Sequence, residues 1–389
     1  MKVASIVLSL GLLLGAAVVP RDRGPSVDRE ASREHRTSAA LRKSLVIIVD
    51  GLRPDALHAA GAQHIESLID GTFAPGYRGA YSPSAQAEEV TLSGPGHSSI
   101  LTGVHLGKHG VASNAFDAKA GTFSGARYER YRDYFAVIEA ARPELHTVRL
   151  VTWDATHSIP SGAGKAMLLK DDDAALALTA ARILAGTHPD YPEDPDALFV
   201  FFSDTDNAGH QHGFSPARRG YLDAIRKVDE QIGSILSALK SRPDFAREDW
   251  QIVLTSDHGG APDGRHDGGT PEKRTVPFLV TSRIATQGLM GGRPEIVDVA
   301  PTVLAHMGST APAVYDGRAQ GCLHVVASGS QSGKAGRNRG ERQPAGTTGK
   351  SSKGFENSPN RTDVYDSPPA GQRASIRFRP TEPPYIIPC

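Results

Sequence analysis

Cysteine is almost absent from this chain, which has two, Cys322 and Cys389, among 389 residues. So few thiols exclude a disulfide-based framework and a cysteine-rich zinc or iron–sulfur module. Net charge is also lacking, because 43 Lys and Arg residues balance 43 Asp and Glu residues. This balance argues against a nucleic-acid scaffold and against a polybasic membrane binder. Apolar residues make up 39% of the chain, which is enough for a sizeable core and excludes wholesale disorder.

Long apolar runs are also scarce, and residues 1–19 contain the only pronounced one. A lysine precedes this run and small residues end it, a pattern that predicts a secretory signal peptide and therefore a secreted or periplasmic protein. The alternative is a membrane anchor, but the run falls just short of the ~20 residues that a spanning helix needs. We therefore expect no transmembrane segment in the mature chain, and the oligomeric state stays open.

Composition divides the rest of the chain into three parts. Residues 20–43 are polar and charged, which is typical of a linker. Residues 44–325 alternate apolar runs with helical patterns and form the expected main folded domain. Residues 326–389 are rich in Gly, Ser, Pro, Arg and Lys and poor in aliphatic side chains, so we expect a disordered tail.

The middle segment has the pattern of an α/β fold. Its short apolar runs lack polar alternation, which is typical of strands buried on both faces of a mainly parallel sheet. These runs lie at 44–49, 146–153, 197–202, 250–255 and 275–280. Helices are predicted at 216–240, near 295–306 and after the three acids at 171–173. Such alternation predicts a doubly wound sheet, whose ligands bind beyond the carboxyl ends of the strands.

Carboxylate and imidazole side chains follow three of these strands directly, and a histidine precedes a fourth strand. Asp50 ends the first strand, and a segment with Asp206 and His210 follows the strand at 197–202. The pair Asp257-His258 follows the strand at 250–255, and His266 precedes the strand at 275–280. Such donors suit Zn²⁺, with Mn²⁺ or Mg²⁺ as alternatives. Six ligands exceed the needs of one zinc site, so we expect two divalent metal ions.

A hydroxyl-rich loop supplies a second constellation. Ser93 is followed by Gly-Pro-Gly and by what we predict to be a short helix, whose N-terminus would present amides to an anion. A hydroxyl at this position could be a nucleophile if a metal lowers its pKa. The alternative is a Ser/Thr-rich cap and turn with no chemical role.

Together, these segments resemble the alkaline phosphatase superfamily and, within it, the type I phosphodiesterase/nucleotide pyrophosphatase branch. The resemblance runs from about residue 44 to 318. The motifs that carry it are Leu45-Val46-Ile47-Ile48-Val49-Asp50-Gly51, Ser93-Gly94-Pro95-Gly96-His97, Asp206…Gly209-His210 and Ser256-Asp257-His258-Gly259. The fold it implies is alkaline phosphatase-like, with a mainly parallel central sheet and helices on both faces.

The resemblance also implies a role for each matched residue. One metal would be held by Asp50, Ser93, Asp257 and His258, and the other by Asp206, His210 and His266. Asn114 matches an asparagine that binds a phosphoryl oxygen in the diesterase branch, and we expect it to act with the Ser93–Gly94 backbone. Thr91 is the alternative nucleophile, and His212 is the alternative to His266.

The implied activity is metal-dependent hydrolysis of a small-molecule phosphate ester, a phosphodiester or nucleotide pyrophosphate, through a phosphoseryl intermediate. A phosphomonoesterase, a phosphonate hydrolase and an inactive ligand-binding relative are the alternatives. A sulfatase is disfavoured, because its nucleophile motif needs Arg where this chain has His97. Aromatic residues at 128, 131, 134 and 135 would either stack on a nucleobase or pack on the sheet as a helix face.

Overall fold

The computed structural model describes residues 41–162, 164–321, 323–324 and 387–388, all within one folded unit. The predicted signal peptide, the linker up to residue 40 and the predicted tail, apart from 387–388, lie outside these ranges. Within the described ranges, no helix is both long enough and apolar enough to cross a membrane.

The strands and helices alternate along most of the chain. The strands are β1 (Leu41–Val49), β2 (Arg78–Gln86), β3 (Phe116–Asp117), β4 (Thr122–Phe123), β5 (Thr147–Val151), β6 (Lys165–Leu168), β7 (Ala197–Phe202), β8 (Glu248–Thr255), β9 (Thr275–Ser282), β10 (Gly288–Leu289), β11 (Leu323–His324) and β12 (Ile387–Pro388). The helices are α1 (Pro54–Ala60), α2 (Gln63–Ile69), α3 (Ser93–Thr102), α4 (Leu106–His109), α5 (Tyr134–Ala141), α6 (Asp154–His157), α7 (Asp173–Leu184), α8 (Asp204–His212), α9 (Arg219–Lys240), α10 (Pro271–Arg274) and α11 (Val299–His306), the last preceded by a 3₁₀ turn (Ile296–Asp298).

Eight strands form the central sheet in the order β10-β2-β9-β8-β1-β7-β5-β6. The pairs from β8 through β1, β7 and β5 to β6 are parallel, whereas β9 runs antiparallel to both β8 and β2. The mainly parallel sheet predicted from the unalternated apolar runs is therefore confirmed.

Side chains of β1 alternate between two cores, one on each face of the sheet. Leu45 and Ile47 belong to a core that includes Ile225 and Ile232 of α9. Val46 and Ile48 belong to a second core, which includes Ile100 of α3 as well as residues of α5 and α11. Helices thus cover both faces, and burial on both sides explains why the strand sequences show no polar alternation.

Several predicted boundaries differ from the structure: the strands predicted at 146–153, 250–255 and 275–280 are observed at Thr147–Val151, Glu248–Thr255 and Thr275–Ser282, and three further differences are larger or fall outside the expected domain. The strand predicted at 44–49 begins at Leu41, inside the segment expected to be a linker. The helix predicted from residue 216 begins at Arg219, because the Ser215 hydroxyl accepts a hydrogen bond from the Ala217 amide in a turn that precedes it. At the far end, Ile387–Pro388 pairs with Leu323–His324, although residues 326–389 were all expected to be disordered.

A buried ionic cluster holds the edge of the sheet opposite the carboxyl ends of the parallel strands. The ammonium of Lys43 is fully buried and donates hydrogen bonds to Asp194 at 3.1 Å, to the Pro195 carbonyl at 2.8 Å and to Asp196 at 2.9 Å. It also lies 5.7 Å from the centre of the Trp250 ring. Every hydrogen of the ammonium thus has an acceptor.

We expect Lys43→Met to destabilise the protein by about 3–5 kcal/mol, because removing one partner of a buried ion pair leaves the other charge uncompensated. Urea denaturation at neutral pH measures this change. Lys170→Met is the matched control, since Lys170 is 63% exposed and pairs with Asp154 at the surface. The control should change stability by no more than about 0.5 kcal/mol, and a similar loss in both variants would contradict the prediction.

Candidate metal centre and nucleophile

The polar residues predicted to follow the strands do meet at one edge of the sheet. Asp50 follows β1, the pair Asp257-His258 follows β8, and α8 begins two residues after β7 ends. Since β9 is antiparallel to β8, the segment that leads into β9 starts at this same edge, and it carries His266.

The first group of side chains surrounds His258. The Nε2 atom of His258 lies 3.2 Å from the Ser93 hydroxyl, 3.3 Å from Asp50 Oδ1 and 3.5 Å from Asp257 Oδ2. All four side chains are buried, with exposed fractions of 6% or less. The structure thus brings together the four residues that the resemblance assigned to one metal.

The second group contains Asp206, His210 and His266, whose ligand atoms all lie within 4.8 Å of one another. The Nε2 atoms of the two histidines are 3.2 Å apart, and Asp206 lies 3.2 Å from His210 and 3.8 Å from His266. Ligand atoms of Asp50, Asp206 and His258 are equally close, so the two groups adjoin. The His210 side chain is 49% exposed, which opens the site to solvent on this side.

Backbone carbonyls fix the orientation of all three imidazoles. The Nδ1 atoms of His210, His258 and His266 lie 2.9, 2.9 and 2.7 Å from the carbonyl oxygens of Gly264, Gly259 and Thr91. A carbonyl oxygen can only accept, so Nδ1 carries the proton and each neutral ring turns an Nε2 lone pair towards the site. This tautomer is the one that a metal ligand requires.

The donor set fits divalent cations. When both imidazoles are neutral, the Nε2 lone pairs of His210 and His266 face each other at 3.2 Å. A cation bound between them would stabilise this arrangement. Asp50 Oδ1, Asp206 Oδ1 and Asp257 Oδ2 are buried and have no hydrogen-bond partner within the described part of the chain. Because buried carboxylates are normally paired or bound to metal, these oxygens also call for a cation. Imidazole nitrogen and carboxylate oxygen are suitable ligands for zinc and manganese.

The acid–base properties of the site reflect the crowding of its carboxylates. Burial and the charges of Asp257 and Asp206 raise the pKa of Asp50 well above its ordinary value. Burial also tends to raise the pKa of Asp257, but the imidazoles of His258 and His97 outweigh it and lower this pKa overall. A hydrogen bond to Asp206 raises the pKa of His210 to about 8, so a proton can occupy the second group in the absence of metal.

Ser93 is the first residue of α3, and its neighbour Gly94 is tightly enclosed. The Gly94 amide was predicted to act on the phosphoryl group together with Asn114. Instead it donates a hydrogen bond to the Asn114 Oδ1 atom at 2.8 Å, so it is not free to bind a substrate. A Cβ atom on Gly94 would lie 2.8 Å from the Ser113 carbonyl and 2.9 Å from the Phe123 ring. The hairpin β3–β4 thus packs directly on the turn that carries Ser93, and only glycine fits between them.

Neither alternative residue has the position its role would need. The Thr91 hydroxyl is buried, donates to the His266 carbonyl and accepts from the Gly269 amide, so it is occupied by backbone groups. His212 is exposed and belongs to none of the candidate metal groups among the described residues, whereas His266 belongs to one. The geometry favours Ser93 and His266.

Sequence reasoning missed two features of the site. No helix was predicted for the segment with Asp206 and His210, but both lie on α8, one helical turn apart. Acids in the first turn and histidines in the last turn were the available signal for this helix. His97 joins Asp50 and Asp257 as a third group of possible ligands, although the sequence had given it no role beyond its place in the Ser93–His97 motif and its difference from the sulfatase motif. The four aromatic residues Tyr128, Tyr131, Tyr134 and Phe135 are buried, as the packing interpretation expected, but only Tyr134 and Phe135 lie on a helix, so the single helix face was wrong.

Curated relatives match part of this chain. A 2,3-bisphosphoglycerate-independent phosphoglycerate mutase of Haloarcula marismortui is 32% identical over 133 residues, which are 32% of this chain and 23% of the mutase. GPI ethanolamine phosphate transferase 1 of Mus musculus is 34% identical over 89 residues, which are 22% of this chain and 9% of the transferase. The chain therefore spans less than a quarter of the length of these relatives.

Solved structures share the fold over a larger part of the chain. A 2-O GAG sulfatase has a TM-score of 0.54 at 14% identity and covers 72% of this chain and 73% of its own. Murine ectonucleotide pyrophosphatase/phosphodiesterase 5 in complex with AMP has a TM-score of 0.50 at 14% identity and covers 70% of this chain and 96% of its own. At this identity the similarity shows the fold alone, and it confirms the alkaline phosphatase-like architecture.

The family follows from a match of the sequence itself. The profile described as "Type I phosphodiesterase / nucleotide pyrophosphatase" matches residues 44–267, a range that holds every predicted site residue. This range is more than half of the 389 residues. The chain therefore belongs to the type I phosphodiesterase/nucleotide pyrophosphatase family, within the alkaline phosphatase superfamily.

Proposed function

We propose that this protein hydrolyses phosphoric esters at a two-metal site, with phosphodiesters or nucleotide pyrophosphates as substrates and Ser93 as the nucleophile. One observation carries the proposal: the Ser93 hydroxyl lies 3.2 Å from His258 Nε2 and within the group of carboxylates that lack partners. Asp50, Asp257 and His258 would hold one cation beside this oxygen, and Asp206, His210 and His266 would hold the other. Zinc is the first candidate, with manganese and magnesium as alternatives.

Bound divalent cations would lower the pKa of a coordinated hydroxyl and neutralise the charge of a phosphoryl group. In the first step, the Ser93 hydroxyl loses its proton to solvent and its oxygen forms a bond to phosphorus, while the bond to the leaving oxygen breaks on the opposite side. Ser93 is the first residue of α3, a helix of ten residues. The positive end of the helix dipole would therefore stabilise the negative charge of the phosphoryl oxygens. The product of this step is a phosphoseryl enzyme.

In the second step, the oxygen of a water molecule forms a bond to phosphorus and the bond to the Ser93 oxygen breaks; the water gives up a proton, and the Ser93 oxygen takes one up. Each displacement inverts the configuration at phosphorus, so the two steps together retain it. Hydrolysis of a substrate that is chiral at phosphorus measures this outcome directly. Retention is the expected result, and net inversion would exclude the covalent intermediate.

Asn114 supports a preference for diesters. Its Oδ1 atom is held by the Gly94 amide, which leaves the NH₂ group as the donor available to a phosphoryl oxygen. An uncharged donor suits the single negative charge of a diester better than the double charge of a monoester. We therefore expect kcat/KM for bis(p-nitrophenyl) phosphate to exceed that for p-nitrophenyl phosphate, with both activities lost on chelation.

The partial match to phosphoglycerate mutases favours a second candidate, chemistry on a phosphomonoester with the same residues. A higher kcat/KM for the monoester would support it. A panel that adds a phosphonate and an aryl sulfate separates the remaining alternatives. Absence of turnover on the whole panel, with metal bound, would overturn the proposed function.

A further inference from the structure

His97 is a buried imidazole that faces the proposed metal centre from the nucleophile helix. It lies one turn after Ser93 on α3 and is 0% exposed. The preceding Gly96 lets the helix approach closely, since a Cβ atom there would lie 2.9 Å from the Asp257 carbonyl oxygen. As a result, the Nε2 atom of His97 is 3.8 Å from Asp257 Oδ2.

Neither ring nitrogen of His97 has a hydrogen-bond partner within the described residues. The ring packs edge-on against Phe201 with centroids 4.2 Å apart, but this contact satisfies no polar atom. Other buried histidines differ: His109 bonds to the Ser99 hydroxyl and the Val111 amide, and His306 bonds to a backbone carbonyl. A packing role alone would be filled as well by a leucine, without the cost of an unpaired buried polar group.

The atom that His97 faces lacks a partner too. Asp257 Oδ1 is approached by the Gly51 amide and the Ser256 hydroxyl, each at 3.4 Å, whereas Oδ2 has no hydrogen bond within the described residues. An unpaired donor and an unpaired acceptor thus face each other slightly beyond hydrogen-bond distance. A small rotation of either side chain would join them.

We propose that His97 is a positioning residue for the metal centre: its Nε2–H donates a hydrogen bond to Asp257 Oδ2 and orients this carboxylate towards the cation. The inference rests on the metal centre of the proposed function. Donors of this kind set the direction of a ligand's remaining lone pairs, and their removal typically weakens metal binding about 10- to 100-fold.

Metal affinity and apo-protein stability test this role without recourse to turnover. Titration of the metal-free protein with Zn²⁺ and with Mn²⁺ gives the dissociation constants, and thermal unfolding in chelator gives the stability. We expect His97→Leu to weaken metal binding about 10- to 100-fold while the metal-free protein stays as stable as the wild type. His97→Gln keeps an N–H at a similar distance along the side chain and should recover most of the affinity.

His109→Leu is the matched control, because it removes a buried histidine whose nitrogens are both bonded. It should lower the stability of the metal-free protein and leave the dissociation constants unchanged. Equal affinity in His97→Leu and the wild type would overturn the proposal, as would an equal loss in His97→Leu and His97→Gln, which would indicate direct ligation by His97. If the wild type itself bound neither metal, the proposed function would fall as well.

Discussion

Ser93→Ala is expected to lower kcat/KM for a phosphodiester at least about 10³-fold, because the variant lacks the oxygen that forms the covalent intermediate. Asp50, Asp257 and His258 stay in place, so metal content should remain near that of the wild type. Steady-state kinetics with bis(p-nitrophenyl) phosphate, together with metal analysis of the same samples, measures both quantities. Trapping of labelled phosphate on the wild type, and its loss in the variant, would locate the phosphoseryl group.

Ser98→Ala is the control for this prediction. Ser98 lies on the same helix, is fully buried, and its hydroxyl bonds to the Gly94 carbonyl and to Tyr128 at 2.7 Å. Its loss should cost about 1 kcal/mol of stability and change the rate little. If Ser93→Ala retained substantial activity that vanished on the further change Thr91→Val, the nucleophile would have to be reassigned to Thr91.

Asp50→Asn is expected to abolish both metal binding and activity, because it removes a charged ligand that lies close to both groups of the proposed centre. At a metal concentration of 100 times its Kd, the wild type should gain about 2.7 kcal/mol of stability. A variant with a Kd about 100-fold higher would gain only about 0.4 kcal/mol under the same conditions. Chemical denaturation with metal and with chelator measures this difference.

The metal-free Asp50→Asn variant should be at least as stable as the metal-free wild type. Burial and the charges of Asp257 and Asp206 raise the pKa of Asp50, so an ionised carboxylate at this position lowers the stability of the folded protein when no cation is present. Asp204→Asn is the matched control, since this carboxylate pairs with Lys227 at 2.7 Å outside the metal groups. Equal metal-induced stabilisation in wild type and Asp50→Asn would contradict the assignment.

The sequence predicted five of the eight strands of the central sheet, because those five have apolar runs buried on both faces, and it missed β2, β6 and β10. When both faces of a strand are buried, all of its residues are apolar, and the ends of the apolar run mark the ends of the strand. The run at 197–202 matches the observed strand Ala197–Phe202 for this reason. The start of α9 was placed too early for a local reason. Pro216 is typical of a first helical turn, but the Ser215 hydroxyl binds the Ala217 amide and the helix begins at Arg219.

The histidine at 266 shows what strand direction adds to a motif. Its position before a strand predicts nothing about which edge of the sheet it reaches, since a parallel strand would have carried it to the opposite edge. The antiparallel pairing of β9 with β8 brings it to the carboxyl ends of the parallel strands, where its ring stacks on His258 with centroids 3.8 Å apart. Pairing direction depends on contacts distant in sequence, so the local pattern did not specify it.

The sequence by itself determined the α/β class, the family and the identity of the clustered donors, because these follow from apolar runs and from short motifs at strand ends. Only the tertiary structure decided that the Gly94 amide is taken by Asn114, that Thr91 faces the backbone and that His97 points at Asp257. The physical reason is that a motif fixes which groups are available, whereas the direction of each hydrogen bond depends on what the fold packs beside it.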